Sequence, residues 1–132
     1  MSKARRKGKD MFQVASYETY PDGKVIFAEG SHGDWIYVVE EGAVEISKKD
    51  GEHKVVIEVL KPGDPFGELA YIAKIARTAT ATAVGKTVIG ILDRDYFDRE
   101  FNKLPGDFQV MFKTVALRLK ATTEKVVAPN RG

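Results

Sequence analysis

The sequence predicts a mainly β fold with flanking helices: an antiparallel β-roll, interrupted once by a short helical turn and followed by two C-terminal helices. Three observations carry this expectation. Turn-forming clusters recur every 8 to 12 residues or closer between Tyr17 and about Asp93, the spacing of an antiparallel sandwich or barrel. The runs between them are rich in β-branched and aromatic residues. After Leu92 the apolar positions change to helical spacing.

Pro21-Asp22-Gly23, Glu29-Gly30, His32-Gly33-Asp34, Glu41-Gly42, Asp50-Gly51, Pro62-Gly63-Asp64 and Gly85-Lys86 are the turn clusters. Strands are expected between them at Lys24 to Ala28, Trp35 to Glu40, Ala43 to Lys48, Lys54 to Leu60, Thr78 to Val84 and Thr87 to Leu92. Ala43 to Lys48 alternates, with Val44 and Ile46 inward, whereas Trp35 to Val39 is apolar on both faces and reads as a central strand. Gly85-Lys86-Thr87 looks like the end of a P-loop but lacks the earlier glycine, so a hairpin turn is expected there. Asp93 suits the N-cap of a short helix that buries Tyr96, Phe97 and Phe101. Leu104-Pro105-Gly106 breaks the chain, and Asp107 then caps a longer helix whose apolar positions are Phe108, Met111, Phe112, Val115, Leu119 and Val126. Its N-terminal half is expected to pack on the roll. The 108, 112, 115, 119, 122, 126 spacing also fits a short coiled-coil seam, so its C-terminal half would close over a ligand or pair with a second copy of the chain.

Composition excludes several classes of function. The 132 residues form one ordinary globular domain, with no cysteine for disulfides, thiolate metal sites or a cysteine nucleophile. The longest stretch without charge, Thr78 to Gly85, is far below the ~20 residues of a membrane span. No leader segment is expected either, because Asp10 and the polar-interrupted residues 11–17 stand where an apolar core would be. The net charge is +2, but Lys3, Arg5, Arg6, Lys7 and Lys9 account for five positive charges, so the remainder of the chain carries a net −3. Residues 1–10 therefore read as a basic disordered tail. The acidic body gives DNA binding no electrostatic support. His32 and His53 have no histidine partner nearby and read as loop or strand-end residues, and Ser31-His32-Gly33-Asp34 is too compressed for a hydrolytic triad. No enzyme is expected.

The chemistry lies in Pro62-Gly63-Asp64-Pro65-Phe66-Gly67-Glu68-Leu69-Ala70 and, nine residues after Glu68, Arg77-Thr78-Ala79-Thr80. Gly-Glu-Leu-Ala can begin one helical turn with free backbone N–H groups. Arg77 can return to the same pocket, where its planar fork matches two phosphate oxygens. Glu68 only accepts hydrogen bonds, so it requires a donor such as a sugar hydroxyl. The implied ligand has one phosphate, one free hydroxyl and an apolar body.

Glu29-Gly30, Gly33-Asp34, Tyr37-Val38-Val39, Gly42-Ala43-Val44, Phe66-Gly67-Glu68-Leu69-Ala70 and Arg77-Thr78-Ala79-Thr80 together resemble the successive signatures of the cyclic nucleotide-binding domain. That domain occurs in catabolite activator protein, in regulatory subunits of cAMP-dependent protein kinase and in nucleotide-gated channels. The resemblance covers about Tyr17 to Glu124 and implies a jelly-roll, or double-stranded β-helix, with a short phosphate-binding helix. It implies a ligand site of Phe66, Gly67, Glu68, Leu69, Ala70, Arg77, Thr78 and Ala79. In it, Glu68 and the Gly67 backbone hold the ribose 2′-hydroxyl and Arg77 pairs with the cyclic phosphate, while the N–H groups of Ala70 and Thr78 complete the cradle. Where the family usually has proline before the arginine, this chain has Ala76, which leaves the arginine less rigidly aimed. Threonine at 78 resembles the cGMP-dependent kinase pattern, yet cAMP-preferring channels also carry it. Threonine at 78 thus does not settle the base; the expected ligand is cAMP or cGMP, with cAMP favoured on the layout of the domain, and no cofactor or metal is expected.

Residues 11–127 are thus expected to form the binding domain, with the roll over about 17–93 and the helices over about 94–127, followed by a tail at 128–132. The expected function is a cytoplasmic, stand-alone signalling sensor whose ligand draws the C-terminal helices onto the roll and whose effector protein is unknown. Two alternatives are the sensor half of a DNA-binding transcription regulator and a ligand-free protein-interaction roll. A DNA-reading module would need some 60 further residues, and the chain stops within about ten of the long helix.

Overall fold

The computed structural model describes residues 11–127. The tails expected at residues 1–10 and 128–132 lie outside them, as does the side chain of Val126. The element order is β1 (Val14–Tyr20), β2 (Val25–Phe27), β3 (Tyr37–Asp50), β4 (His53–Leu60), β5 (Pro65–Phe66), α1 (Glu68–Ala73), β6 (Thr80–Leu92), α2 (Arg94–Asn102) and α3 (Gly106–Val127). All pairings are antiparallel, in the order β1-β6-β3-β4, with β2 on β6 and β5 on β3. The mainly β fold with flanking helices is as the sequence predicts. β3 is the central strand, and Val38, Val39 and Val44 on it are fully buried.

Several details differ from the expectation, among them that Tyr96, Phe97 and Phe101 are only partly buried. First, β1 precedes the first expected strand; it is mostly exposed, so its sequence lacks a buried alternating face. Second, the four expected strands at 35–40, 43–48, 78–84 and 87–92 are two long ones, β3 and β6. Gly85-Lys86-Thr87 is therefore a bulge inside β6, not a hairpin turn: Glu41 faces Val88 and Ala43 faces Val84, leaving the intervening residues to turn a corner. Gly42 (φ +84°) makes that corner possible, since a Cβ there would lie 2.5 Å from the Lys86 carbonyl oxygen and 2.6 Å from Thr87 Oγ1. Third, Trp35 lies outside the strand and is exposed. Fourth, the N-terminal half of α3 does not pack on the roll: Phe108, Met111, Phe112 and Val115 are exposed, burial is reached only at Ala116, and the element the helix packs against is α1. Asp107 stands in the first turn of α3 instead of ahead of it, with its Oδ1 accepting from the Phe108 N–H at 2.9 Å. Asp93 caps α2 as expected, its carboxylate accepting from the Tyr96 N–H at 3.1 Å.

The apolar residues form two cores. Inside the roll, Val39, Val44, Leu60, Phe66, Ala81 and Ile89 pack with the stacked rings of Phe27, Tyr37 and Phe66. Between sheet and helices, Ile36, Val38, Tyr71 and Leu92 pack with Phe12, Val14, Ile72 and Phe97. α1 joins the two, because Phe66 just ahead of it faces the first core and Tyr71 within it fills the second. No helix among the described residues is long and apolar enough to cross a membrane.

Candidate functional site

Between the roll, α1 and the C-terminal half of α3 lies a cleft of about 190 Å³. All eight residues singled out in the sequence, Phe66, Gly67, Glu68, Leu69, Ala70, Arg77, Thr78 and Ala79, line it.

Gly67 begins α1 in a left-handed conformation, φ +85°. No other residue fits: besides the strain of that backbone, a Cβ would stand 2.9 Å from Arg77 Nη1 and 3.1 Å from the Trp35 carbonyl oxygen. The chain then turns once through α1 and leaves through Lys74, which is itself left-handed and donates its N–H to the Ala70 carbonyl. This tight return brings Arg77 back beneath Gly67.

Arg77 is 4% exposed, and its fork is held from both sides. Nη1 donates to the Gly67 carbonyl at 2.9 Å and Nη2 to the Trp35 carbonyl at 2.8 Å, while the guanidinium carbon stacks 4.2 Å from the Phe27 ring centroid. Its backbone is tied to the 30–31 loop, with its N–H donating to Ser31 and its carbonyl accepting from Gly30, both at 2.8 Å. These bonds aim the arginine without the proline that Ala76 replaces. No ion pair to Arg77 forms among the described residues. Burial lowers its affinity for the proton below the ordinary arginine value, with Tyr37, Asp34 and Glu68 acting in the opposite direction. An arginine nevertheless stays protonated, so a buried positive charge faces the cleft with its fork bonded to carbonyl oxygens and to no carboxylate.

Glu68 sits beside it. Burial raises the Glu68 carboxyl above the ordinary glutamate value, and Glu58 across the cleft adds to the rise; its own backbone N–H and Arg77 pull the other way. A hydrogen-bond donor from a ligand would favour the ionised form.

Several cleft residues were not anticipated. Phe27, Ile46, Ile57 and Leu60 give apolar walls, Glu58 adds a second carboxylate, and Leu119 and Thr123 bring α3 to the rim. Leu119 was legible through its helical spacing; Glu58, one residue from Ile57 in a strand, was not. Lys48 supports the site from behind. It is buried, and its ammonium donates to the Thr78 carbonyl at 2.5 Å and pairs with Glu29 at 3.2 Å, which fixes the peptide between Thr78 and Ala79.

The family model described as the cyclic nucleotide-binding domain matches residues 17–103. The chain is 36% identical over 98 residues to a cAMP-dependent protein kinase regulatory subunit of Dictyostelium discoideum, covering 71% of this chain and 29% of that one. It is 29% identical over 109 residues to a CRP-like cAMP-activated global transcriptional regulator of Mycobacterium tuberculosis, covering 81% and 48%. Among solved structures, the regulatory domain of Toxoplasma gondii PKA with cAMP superposes with a TM-score of 0.62 at 33% identity, covering 77% of this chain and 38% of that one. The chain thus spans less than half the length of each of these relatives. A roll closed around one buried arginine, a glycine-led helical turn above it and a matching family model over most of the chain lead to one conclusion: the chain belongs to the cyclic nucleotide-binding domain family.

Proposed function

We propose that this chain binds a cyclic nucleotide, cAMP or cGMP, in the cleft, and that the ligand draws α3 against α1 and the roll. In this reading Arg77 pairs with the cyclic phosphate, the N–H groups of Ala70 and Thr78 complete its cradle, and Glu68 with the Gly67 backbone takes the ribose hydroxyl. Phe66, Leu69 and Ala79 shape the wall. The observation that carries it is the Arg77 charge, buried, aimed and without a carboxylate partner. A buried cation of this kind is stabilised when an anion arrives with matching geometry. The chain then acts by binding alone, without catalysis, and a cytoplasmic setting suits a sequence without cysteine. Its effector would read the position of α3.

Titration calorimetry with both nucleotides tests this. Binding is expected, and Arg77→Ala should weaken it by roughly a hundredfold, more than Glu68→Ala, because a phosphate would be left without its charge partner. Absence of heat and of any thermal shift at millimolar nucleotide would refute the reading.

A second reading is favoured by the similarity to the mycobacterial regulator: the chain as the sensing half of a DNA-binding protein. A gel shift with duplex DNA distinguishes it. The exposed apolar side chains of Phe108, Phe112 and Val115 on α3 further support pairing of two copies through that helix in either reading.

A further inference from the structure

A buried lysine stands behind the cleft. Val44, Ile46 and Lys48 alternate along β3 and so share one face; the first two belong to the core of the roll, and the third is a lysine whose side chain is only 8% exposed. Lys48 is not one of the residues that line the cleft. β3 and β6 pair at Ser47 and Thr80, and continuing that antiparallel register sets Lys48 beside the segment that follows Arg77. Its ammonium donates to the Thr78 carbonyl at 2.5 Å and to Glu29 Oε2 at 3.2 Å. Glu29 is itself fixed. Its Oε1 accepts from the Lys49 N–H at 3.0 Å, and its own N–H donates to Thr80 Oγ1 at 2.9 Å.

Thr78 is thereby held on both sides of its α-carbon. The peptide before it is pinned by the Arg77 carbonyl, which accepts from the Gly30 N–H at 2.8 Å, and the peptide after it by the Thr78 carbonyl on Lys48. A trans peptide is planar and its N–H points away from its C=O, so the Arg77 carbonyl on Gly30 aims the Thr78 N–H to the opposite side. With both planes fixed, neither backbone dihedral of Thr78 is free to turn. The ammonium is balanced by Glu29, so the pair brings orientation and little net charge. We infer that Lys48 is a positioning residue for the phosphate cradle: clamped by Glu29, it holds the peptide after Thr78 and so keeps the Thr78 N–H aimed for a phosphate oxygen of the ligand. This rests on the cyclic nucleotide reading above and gives its cradle a support that touches no ligand.

The test combines calorimetric titration of cAMP with the amide proton shifts of isotope-labelled protein, for the wild type, Lys48→Met, Glu29→Gln and the double variant Lys48→Met with Glu29→Gln. In the wild type the Thr78 and Ala70 amide protons both move downfield as phosphate oxygens accept from them. Lys48→Met weakens cAMP roughly tenfold, the scale of one hydrogen bond to a charged group, and largely loses the Thr78 shift while keeping that of Ala70. The double variant leaves no carboxylate without its partner and behaves in the same way, so it carries the test where the single variant does not fold. Glu29→Gln, whose one amide oxygen cannot serve both Lys48 and the Lys49 N–H at their present positions, loosens the clamp and weakens cAMP roughly threefold. Tighter cAMP binding by Glu29→Gln would show that Lys48 acts on the phosphate by its unbalanced charge, and would overturn the positioning role. Equal loss of the Thr78 and Ala70 shifts, or a double variant with wild-type affinity, would overturn it as well. If the wild type binds no cAMP, the cyclic nucleotide reading itself fails and the proposal with it; if it binds cAMP and Lys48→Met keeps both the affinity and the Thr78 shift, only the role of Lys48 fails.

Discussion

Arg77 and Glu68 face the same cleft under opposite constraints. The arginine keeps its charge and is fixed by carbonyls; the glutamate is held by burial toward its neutral form. That gives the ligand-free protein a pH dependence of definite sign. A carboxyl whose folded value lies above its unfolded one stabilises the fold below the unfolded value, and the stabilisation is lost as the pH rises through the folded value. Relative to Glu68→Gln, the wild-type Tm should therefore fall as the pH is raised from about 4 through the mildly acidic range, and then level off. Thermal melts of the two proteins at stepped pH measure it. A difference that stays constant with pH would show that the Glu68 carboxyl is unperturbed.

At the scale of elements, α1 is coupled to α2 by a polar link. Tyr71, 5% exposed at the centre of the second core, donates its hydroxyl to Asp98 Oδ1 at 2.6 Å. Nearby, Asp34 pairs with Arg94 at 2.8 Å and with Lys74 at 3.9 Å, and Arg94 stands over the Trp35 ring, whose backbone carbonyl takes Arg77 Nη2. The helical turn at the cleft and the helix that follows the roll are thus tied through side chains on both. Tyr71→Phe keeps the ring among Ile36, Val38 and Leu92 and removes only the hydroxyl. It should cost about 1 kcal/mol and lower Tm by a few degrees, read by thermal and urea unfolding. An unchanged midpoint would mean that water replaces the bond at no cost.

At the scale of the whole molecule, several large apolar side chains of α3 stay exposed. Met111 and Val115 are more than 60% exposed, beside Phe108 and Phe112, whereas the same helix is buried at Ala116 and meets the cleft through Leu119. One helix therefore meets the cleft with one region and leaves another apolar and exposed. If the exposed region pairs two copies, sedimentation should show a dimer that Met111→Glu with Val115→Glu converts to a monomer, while nucleotide binding persists. A wild type that sediments as a monomer at all accessible concentrations would remove the pairing.

Much of this was legible in the linear sequence. Turn spacing and alternation gave the roll, Asp93 the start of α2, and the Phe66-to-Ala70 and Arg77-to-Ala79 segments their common cleft, because each depends on residues close in the chain. The merging of four expected strands into β3 and β6 was hidden, since Gly42 and Gly85 turn a corner in two paired strands and a turn looks the same locally whether or not pairing continues through it. The exposed half of α3 was hidden because periodicity reports a face and not what covers it. Ile57 was hidden for a more specific reason: it is an extra residue in β4 between the partners of Ile46 and Ser47, and that register exists only once β3 and β4 pair. The sequence by itself determined the chemistry available, one arginine and one glutamate behind a glycine-led turn. Tertiary structure decided which further groups share the cleft, because strand register and helix crossing are set by packing between segments distant in the chain.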